Sequence, residues 1–86
     1  LVRVRNGNEL MTRVTGVGCA LGALMSAYAG VTDDPFVAAV AATATLTVAA
    51  DVAAESASGP GSFAVNLLDE LSALEPDALA DRVVLA

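Results

Sequence analysis

The chain has 86 residues, 56% of them hydrophobic, and a formal charge of −6 from ten acidic residues against four arginines, Arg3, Arg5, Arg13 and Arg82. With no basic run and only Tyr28, Phe36 and Phe63 as aromatic residues, it lacks the phosphate-neutralising charge and stacking rings of a nucleic-acid surface. The absence of lysine and histidine removes a Walker-type phosphate-binding lysine, a Cys–His dyad, a Ser–His–Asp triad and a His-based zinc site.

One cysteine, Cys19, excludes an intrachain disulfide, which fits a cytosolic compartment. A chain of this size is one domain at most and buries roughly 60–65% of its unfolded surface. A mean hydropathy of +0.67 is high for that length. The chain is therefore expected either to pack against other chains or to be part of something larger, and a start at Leu1 favours the second.

Leu1–Arg5 alternates apolar and basic residues, as a half-exposed strand does. Asn6-Gly7 is a two-residue turn signal, and Leu10–Val14 reads as the returning strand of a β-hairpin. The run from Gly18 to Gly30 carries Leu21, Leu24, Met25 and Tyr28 among small residues and predicts a helix buried on most sides. Asp34 as N-cap and Pro35 at the first helical position open a second helix, to about Ala57, with Asp51 and Glu55 as a solvated end. Ser58-Gly59-Pro60-Gly61 breaks it. Ser62 then caps a third helix through Ala73, with Phe63, Leu67, Leu68 and Leu71 on its apolar stripe. Pro76–Ala80 reads as a short helical turn and Arg82–Leu85 as a short final strand.

Two apolar stretches imitate other classes. Met11 to Ala29 resembles a secretory signal peptide, but ten patterned residues precede it, its n-region carries one positive charge and glycines interrupt its core. Phe36–Ala50 imitates a membrane span, but it falls short of the roughly 20 residues needed and is dominated by alanine and threonine. A buried helix is the expectation, with no membrane partner.

The chemistry concentrates in Val14-Thr15-Gly16-Val17-Gly18-Cys19. Glycines allow a tight turn and close backbone approach to a ligand. The first amides of the helix that follows have no partner within it and suit an anion, above all a phosphate. Cys19 stands at the same helix start, where the dipole favours a negatively charged side chain. Glycine turns before helices are common, however, and a lone cysteine in an apolar run is most often a small buried hydrophobe. Among the other polar residues, Asp33-Asp34 read as capping before metal ligands, and Gly59–Phe63 as a helix break and cap, with a ligand or interface role as the alternative. Arg13 reads equally as a phosphate-facing or a strand-surface arginine.

The segment Leu10-Met11-Thr12-Arg13-Val14-Thr15-Gly16-Val17-Gly18-Cys19 closely resembles the signature segment of hydroxyethylthiazole kinases. Asp34-Pro35-Phe36 with its alanine-rich helix resembles the next element of that family. Gly59-Pro60-Gly61-Ser62-Phe63, followed by Leu67-Leu68-Asp69, resembles its C-terminal motif. The three lie in the same order and at similar spacing.

The resemblance implies an α/β protein, with residues 1–86 as the C-terminal portion of a single ribokinase-like kinase domain about three times longer. It implies ATP- and magnesium-dependent phosphorylation of the hydroxyl of 4-methyl-5-(2-hydroxyethyl)thiazole in thiamine biosynthesis or salvage, in a cytoplasmic homotrimer. The metal ligands and much of the ATP site would lie in the missing N-terminal portion, so the piece alone would be inactive. Thr15, Gly16, Val17 and Gly18 match the family's anion hole, and Gly16 matches a glycine assigned to thiazole contact. Cys19 stands where most ribokinase-like enzymes carry a catalytic aspartate, as the candidate base or as a residue that only orients the hydroxyl. A kinase for another small alcohol and a noncatalytic helical packing module are the alternative readings.

Overall fold

Asp34 and Pro35 start the helix on which the others pack. The Asp34 carboxylate accepts from the N–H groups of Phe36 at 2.9 Å and Val37 at 3.4 Å, and Pro35 follows as the first helical residue. This computed structural model describes residues 2–85, with four α-helices and a 3-10 turn at Glu9–Arg13. The helices are α1 (Val17–Ala29), α2 (Pro35–Glu55), α3 (Pro60–Ala73) and α4 (Pro76–Arg82).

α2 is the centre. Nine of its residues are buried, six of them alanines, and small side chains let neighbouring backbones approach closely. α1 and α3 pack on it along their lengths, and α4 touches it at one side. Leu46, Ala49, Ala50 and Ala53 of α2 meet Phe63 and Leu67 of α3 in the main core. Phe63 is fully buried, which stabilises the fold by roughly 1.5–3 kcal/mol. By length and composition α2 could cross a membrane, since the helix outruns its 15-residue apolar stretch at both ends to reach 21 residues. Its burial against α1 and α3 accounts for its composition instead.

The polar groups on these faces are satisfied. Thr45 Oγ1 donates to the Ala41 carbonyl at 2.8 Å, so the Tyr28 hydroxyl, also 2.8 Å away, donates to Thr45 and ties α1 to α2. At the start of α3 the hydroxyl of Ser62 accepts from the N–H groups of Ser58 at 2.8 Å and Gly59 at 3.2 Å. Ser62 is thus the third residue of the helix reaching back, not its N-cap, which is Gly59. Asn66 closes the same corner by donating to the Ala53 carbonyl at 3.3 Å.

The expected hairpin is absent. The Asn8 side chain accepts from the Leu10 N–H at 2.9 Å and starts the 3-10 turn, so Leu10–Val14 does not return as a strand. Val2–Arg5 runs instead beside the far end of the chain. Val4 and Leu85 form an antiparallel bridge, and the Arg5 N–H donates to the Val84 carbonyl at 2.8 Å. Leu1, first residue of the expected strand, lies outside the described residues. The final strand is shorter than expected because α4 extends through Arg82 and only the residues after it are extended. Among the described residues the β content is this single bridge.

α1 also departs from expectation. It has no fully buried residue: Leu21, Leu24, Met25 and Tyr28 are half-buried against α2 and α3, while Gly22, Ala23, Ser26 and Ala27 face out. Of the two residues expected to form a solvated helix end, Glu55 is exposed and Asp51 is half-buried. Asp51 accepts from Asn6 and Gly7, and Glu55 pairs with Arg82 at 2.9 Å. The Arg82–Glu55 pair is exposed and contributes little to stability.

Large apolar side chains stay uncovered. Phe36, Val37, Val65, Leu68 and Leu85 each expose half or more of their surface. Several line an apolar groove of about 440 Å³ between α2, α4 and the Val4–Leu85 pair. Such a surface favours association over a single well-packed state. Purified by itself, the chain is expected to self-associate and to lose structure on heating without a sharp transition. Calorimetry with light scattering checks this, and a cooperative melt of a monodisperse monomer would contradict it.

Candidate active site

Gly16 is the N-cap of α1, with φ 87° and ψ −5°. This is the left-handed region, where an L side chain costs roughly 1–2 kcal/mol. A Cβ on Gly16 would meet nothing within 4 Å, so backbone conformation alone demands glycine there. The chain arrives extended at Val14, turns at Gly16, and makes its first helical bond from the Ala20 N–H to the Gly16 carbonyl at 2.9 Å.

The N–H groups of Val17, Gly18 and Cys19 therefore have no acceptor inside α1, and no side chain caps the helix. They point out of the helix end with its partial positive charge behind them. Gly18 is exposed, and a Cβ there would also meet nothing. Its glycine is not required by packing or by backbone angle, and leaving out the side chain keeps the approach to these amides open.

Of the expected site residues, Thr15, Gly16, Gly18 and Cys19 are exposed and Val17 is half-buried. One turn and the first turn of one helix hold all five. Cys19 is a free, exposed thiol and not the buried hydrophobe that its apolar surroundings in sequence suggested. Arg13 ends the 3-10 turn just before this segment and is exposed.

Beside the turn lies an apolar cavity of about 220 Å³. Val14, Val17 and Ala20 form one wall, and Ala64, Leu67 and Leu71 form the other. The sequence places Leu67, Leu68 and Leu71 on one core stripe. In the fold Leu67 is buried, while Leu68 is 70% exposed at the rim of this cavity. The signal was an apolar face on α3 broader than α2 can cover.

The remaining candidates serve the fold. Gly59–Phe63 starts α3 and anchors the core through Phe63. Asp34 caps α2. Among the described residues no group of three or more His, Cys, Asp or Glu side chains could hold a metal ion.

A helix start with free amides, an open glycine and an apolar cavity beside it is the kind of surface that kinases present to a phosphorylated ligand. The fold is that of a kinase segment. The solved structure of hydroxyethylthiazole kinase from Pyrococcus horikoshii OT3 matches 99% of this chain with a TM-score of 0.92 and 39% identity, over 33% of its own length. The model of the hydroxyethylthiazole kinase family matches residues 1–77, and the chain belongs to that family. Similar proteins include the hydroxyethylthiazole kinases of Clavibacter sepedonicus, 60% identical over 93% of this chain, and of Cutibacterium acnes, 56% identical over 94%. The chain spans 29% of the length of each of these two relatives.

The two glycines are expected to respond in opposite ways. In an intact polypeptide carrying these residues, Gly16→Ala should cost about 1–2 kcal/mol of stability through its left-handed backbone. Gly18→Ala, inside α1 with open space around it, should be neutral or gain up to about 1 kcal/mol. Denaturant unfolding of both variants checks this, and equal losses would remove the conformational explanation.

Proposed function

We propose that residues 1–86 are the C-terminal portion of a cytoplasmic, trimeric hydroxyethylthiazole kinase, and that the turn before α1 supplies its anion hole and candidate base. The observation that carries this reading is the left-handed Gly16, which presents the first amides of α1 beside an exposed Cys19. Family membership supports the reaction: transfer of a phosphoryl group from ATP to the hydroxyl of 4-methyl-5-(2-hydroxyethyl)thiazole, in thiamine biosynthesis or salvage.

Phosphoryl transfer asks little covalent chemistry of a protein and much positioning and charge stabilisation. The Thr15–Gly18 turn, with the Cys19 N–H, surrounds the phosphoryl oxygens as their charge redistributes. Gly16 and Gly18 let the phosphate and the thiazole alcohol come close to the backbone. The thiolate of Cys19 takes the proton of the substrate hydroxyl as that oxygen bonds to the γ-phosphorus and the bond to ADP breaks.

Magnesium, when bound, would supply positive charge to offset that of the phosphoryl group in transit. The described residues offer it no ligand cluster, so its ligands belong to the N-terminal portion of the enzyme. The 86-residue chain alone is expected not to turn over substrate.

The test is made in the full-length enzyme. Cys19→Ala is expected to lose most of the rate of thiazole phosphorylation, about 100-fold or more for a general base. Cys19→Asp is expected to retain activity, since a carboxylate accepts the same proton. Equal rates for the two variants would end the base assignment and leave Cys19 to orient the hydroxyl.

A further inference from the structure

Asn6 and Asp51 lie outside the helix-start turn, yet they hold the far end of the loop that leads into it. Asn6 uses its whole side chain. Its Nδ2 donates to Asp51 Oδ2 at 2.9 Å and to the Arg82 carbonyl at 2.8 Å, and its Oδ1 accepts from the Val84 N–H at 2.7 Å. The next N–H, that of Gly7, donates to Asp51 Oδ1 at 2.9 Å. One carboxylate on α2 thus takes donors from two consecutive residues. Gly7 has φ 131°, a conformation that glycine adopts far more readily than other residues.

Between this clasp and Gly16 the path is held at several points. Asn8 caps the 3-10 turn, the Met11 N–H donates to the Asn8 carbonyl at 3.0 Å, and Thr12 Oγ1 donates to the Glu9 carbonyl at 2.7 Å. Leu10, Met11 and Val14 pack against the core formed by α2 and α3. The loop is an arm fixed to α2 at one end and continuous with α1 at the other.

We infer that Asp51, acting through Asn6 and Gly7, is a positioning residue for the Thr15–Cys19 turn. It touches neither phosphate nor thiazole; it sets where the arm begins and so where the turn sits. The inference rests on the proposal that this turn handles the phosphoryl group. Misplacement of reacting groups by on the order of 1 Å can cost about 100-fold in rate, so a clasp on the arm has leverage on the reaction.

Asp51→Asn keeps the shape but turns one acceptor into a donor, which opposes either Asn6 or Gly7. Adding Asn6→Asp restores a donor–acceptor pair between the two positions, but leaves a carboxylate oxygen facing the Arg82 carbonyl in place of the bond there. In the full-length enzyme, well below each variant's melting temperature, Asp51→Asn is expected to lower kcat about 10- to 100-fold. The KM for the thiazole alcohol should change little, and the double variant should recover part of the loss. A kcat within about twofold of wild type, whatever the fall in melting temperature, would show a purely structural clasp and overturn the inference.

Amide hydrogen exchange on the same proteins tests the arm without reference to the reaction. Faster exchange at Met11 and Ala20 in Asp51→Asn, about tenfold and reversed in the double variant, supports the positioning role; unchanged exchange overturns it. A wild-type enzyme that fails to phosphorylate the thiazole alcohol overturns the proposed function, and the exchange result then decides the arm.

Discussion

The close approach of α1 and α3 to a helix made largely of alanine is the constraint on which the rest of the structure depends. Ala42, Ala49, Ala50 and Ala53 are fully buried on α2, and their small volume brings the neighbouring backbones in. Close approach has a consequence for chemistry. It sets the α1–α3 cleft narrow enough for Ala20 and Ala64 to face one cavity with Val14 and Leu71. A larger residue at any of these alanines would push a helix away and move the start of α1 with it, because interiors packed to this density transmit strain.

The catalytic geometry proposed here is mostly backbone, and backbone geometry is written locally. The tight turn ahead of α1 was legible because an extended segment ends there and a helical pattern begins; that Gly16 alone of that turn is left-handed and caps the helix was not. Asp34-Pro35 reads as a helix start for the same kind of local reason, and α2 begins at that proline. The helical bodies were legible in the periodicity of Leu21, Leu24 and Tyr28 and of Phe63, Leu67 and Leu71. Their exposure was not. α1 is apolar nearly all round, yet its outer face meets solvent, because composition reports how much surface a residue can bury and not whether a partner is present.

The hairpin failed for a reason that a window of ten residues cannot contain. Asn6-Gly7 has the composition of a tight turn and Val2–Arg5 the alternation of a strand, and both signals are genuine. The strand has a partner, but it lies at Val84 and Leu85, across the whole chain. Asn6 bends the backbone by binding Asp51, Arg82 and Val84, with sequence separations of 45, 76 and 78. Nothing near Asn6 announces those partners. The same blindness left Asp51 in a solvated helix end, since a carboxylate looks alike in sequence whether its donors are waters or a distant amide.

This division between local and distant signals bears on how the site is held. Free amides at a helix start provide direction but no fixed location; they move with the helix and with the segment feeding it. A long arm from Gly7 to Val14 would lose its position if it were restrained only by α1, because each unpinned residue adds conformational freedom. Packing of Leu10, Met11 and Val14 restrains the middle of the arm, and the Asp51 carboxylate restrains its beginning. The carboxylate is suited to that task because its two oxygens accept from a side chain and a backbone N–H at once, which fixes orientation as well as distance. The Asp51 carboxylate, remote from the turn in sequence and joined to it by a packed arm, links the scaffold helix to the turn proposed to hold the phosphoryl group.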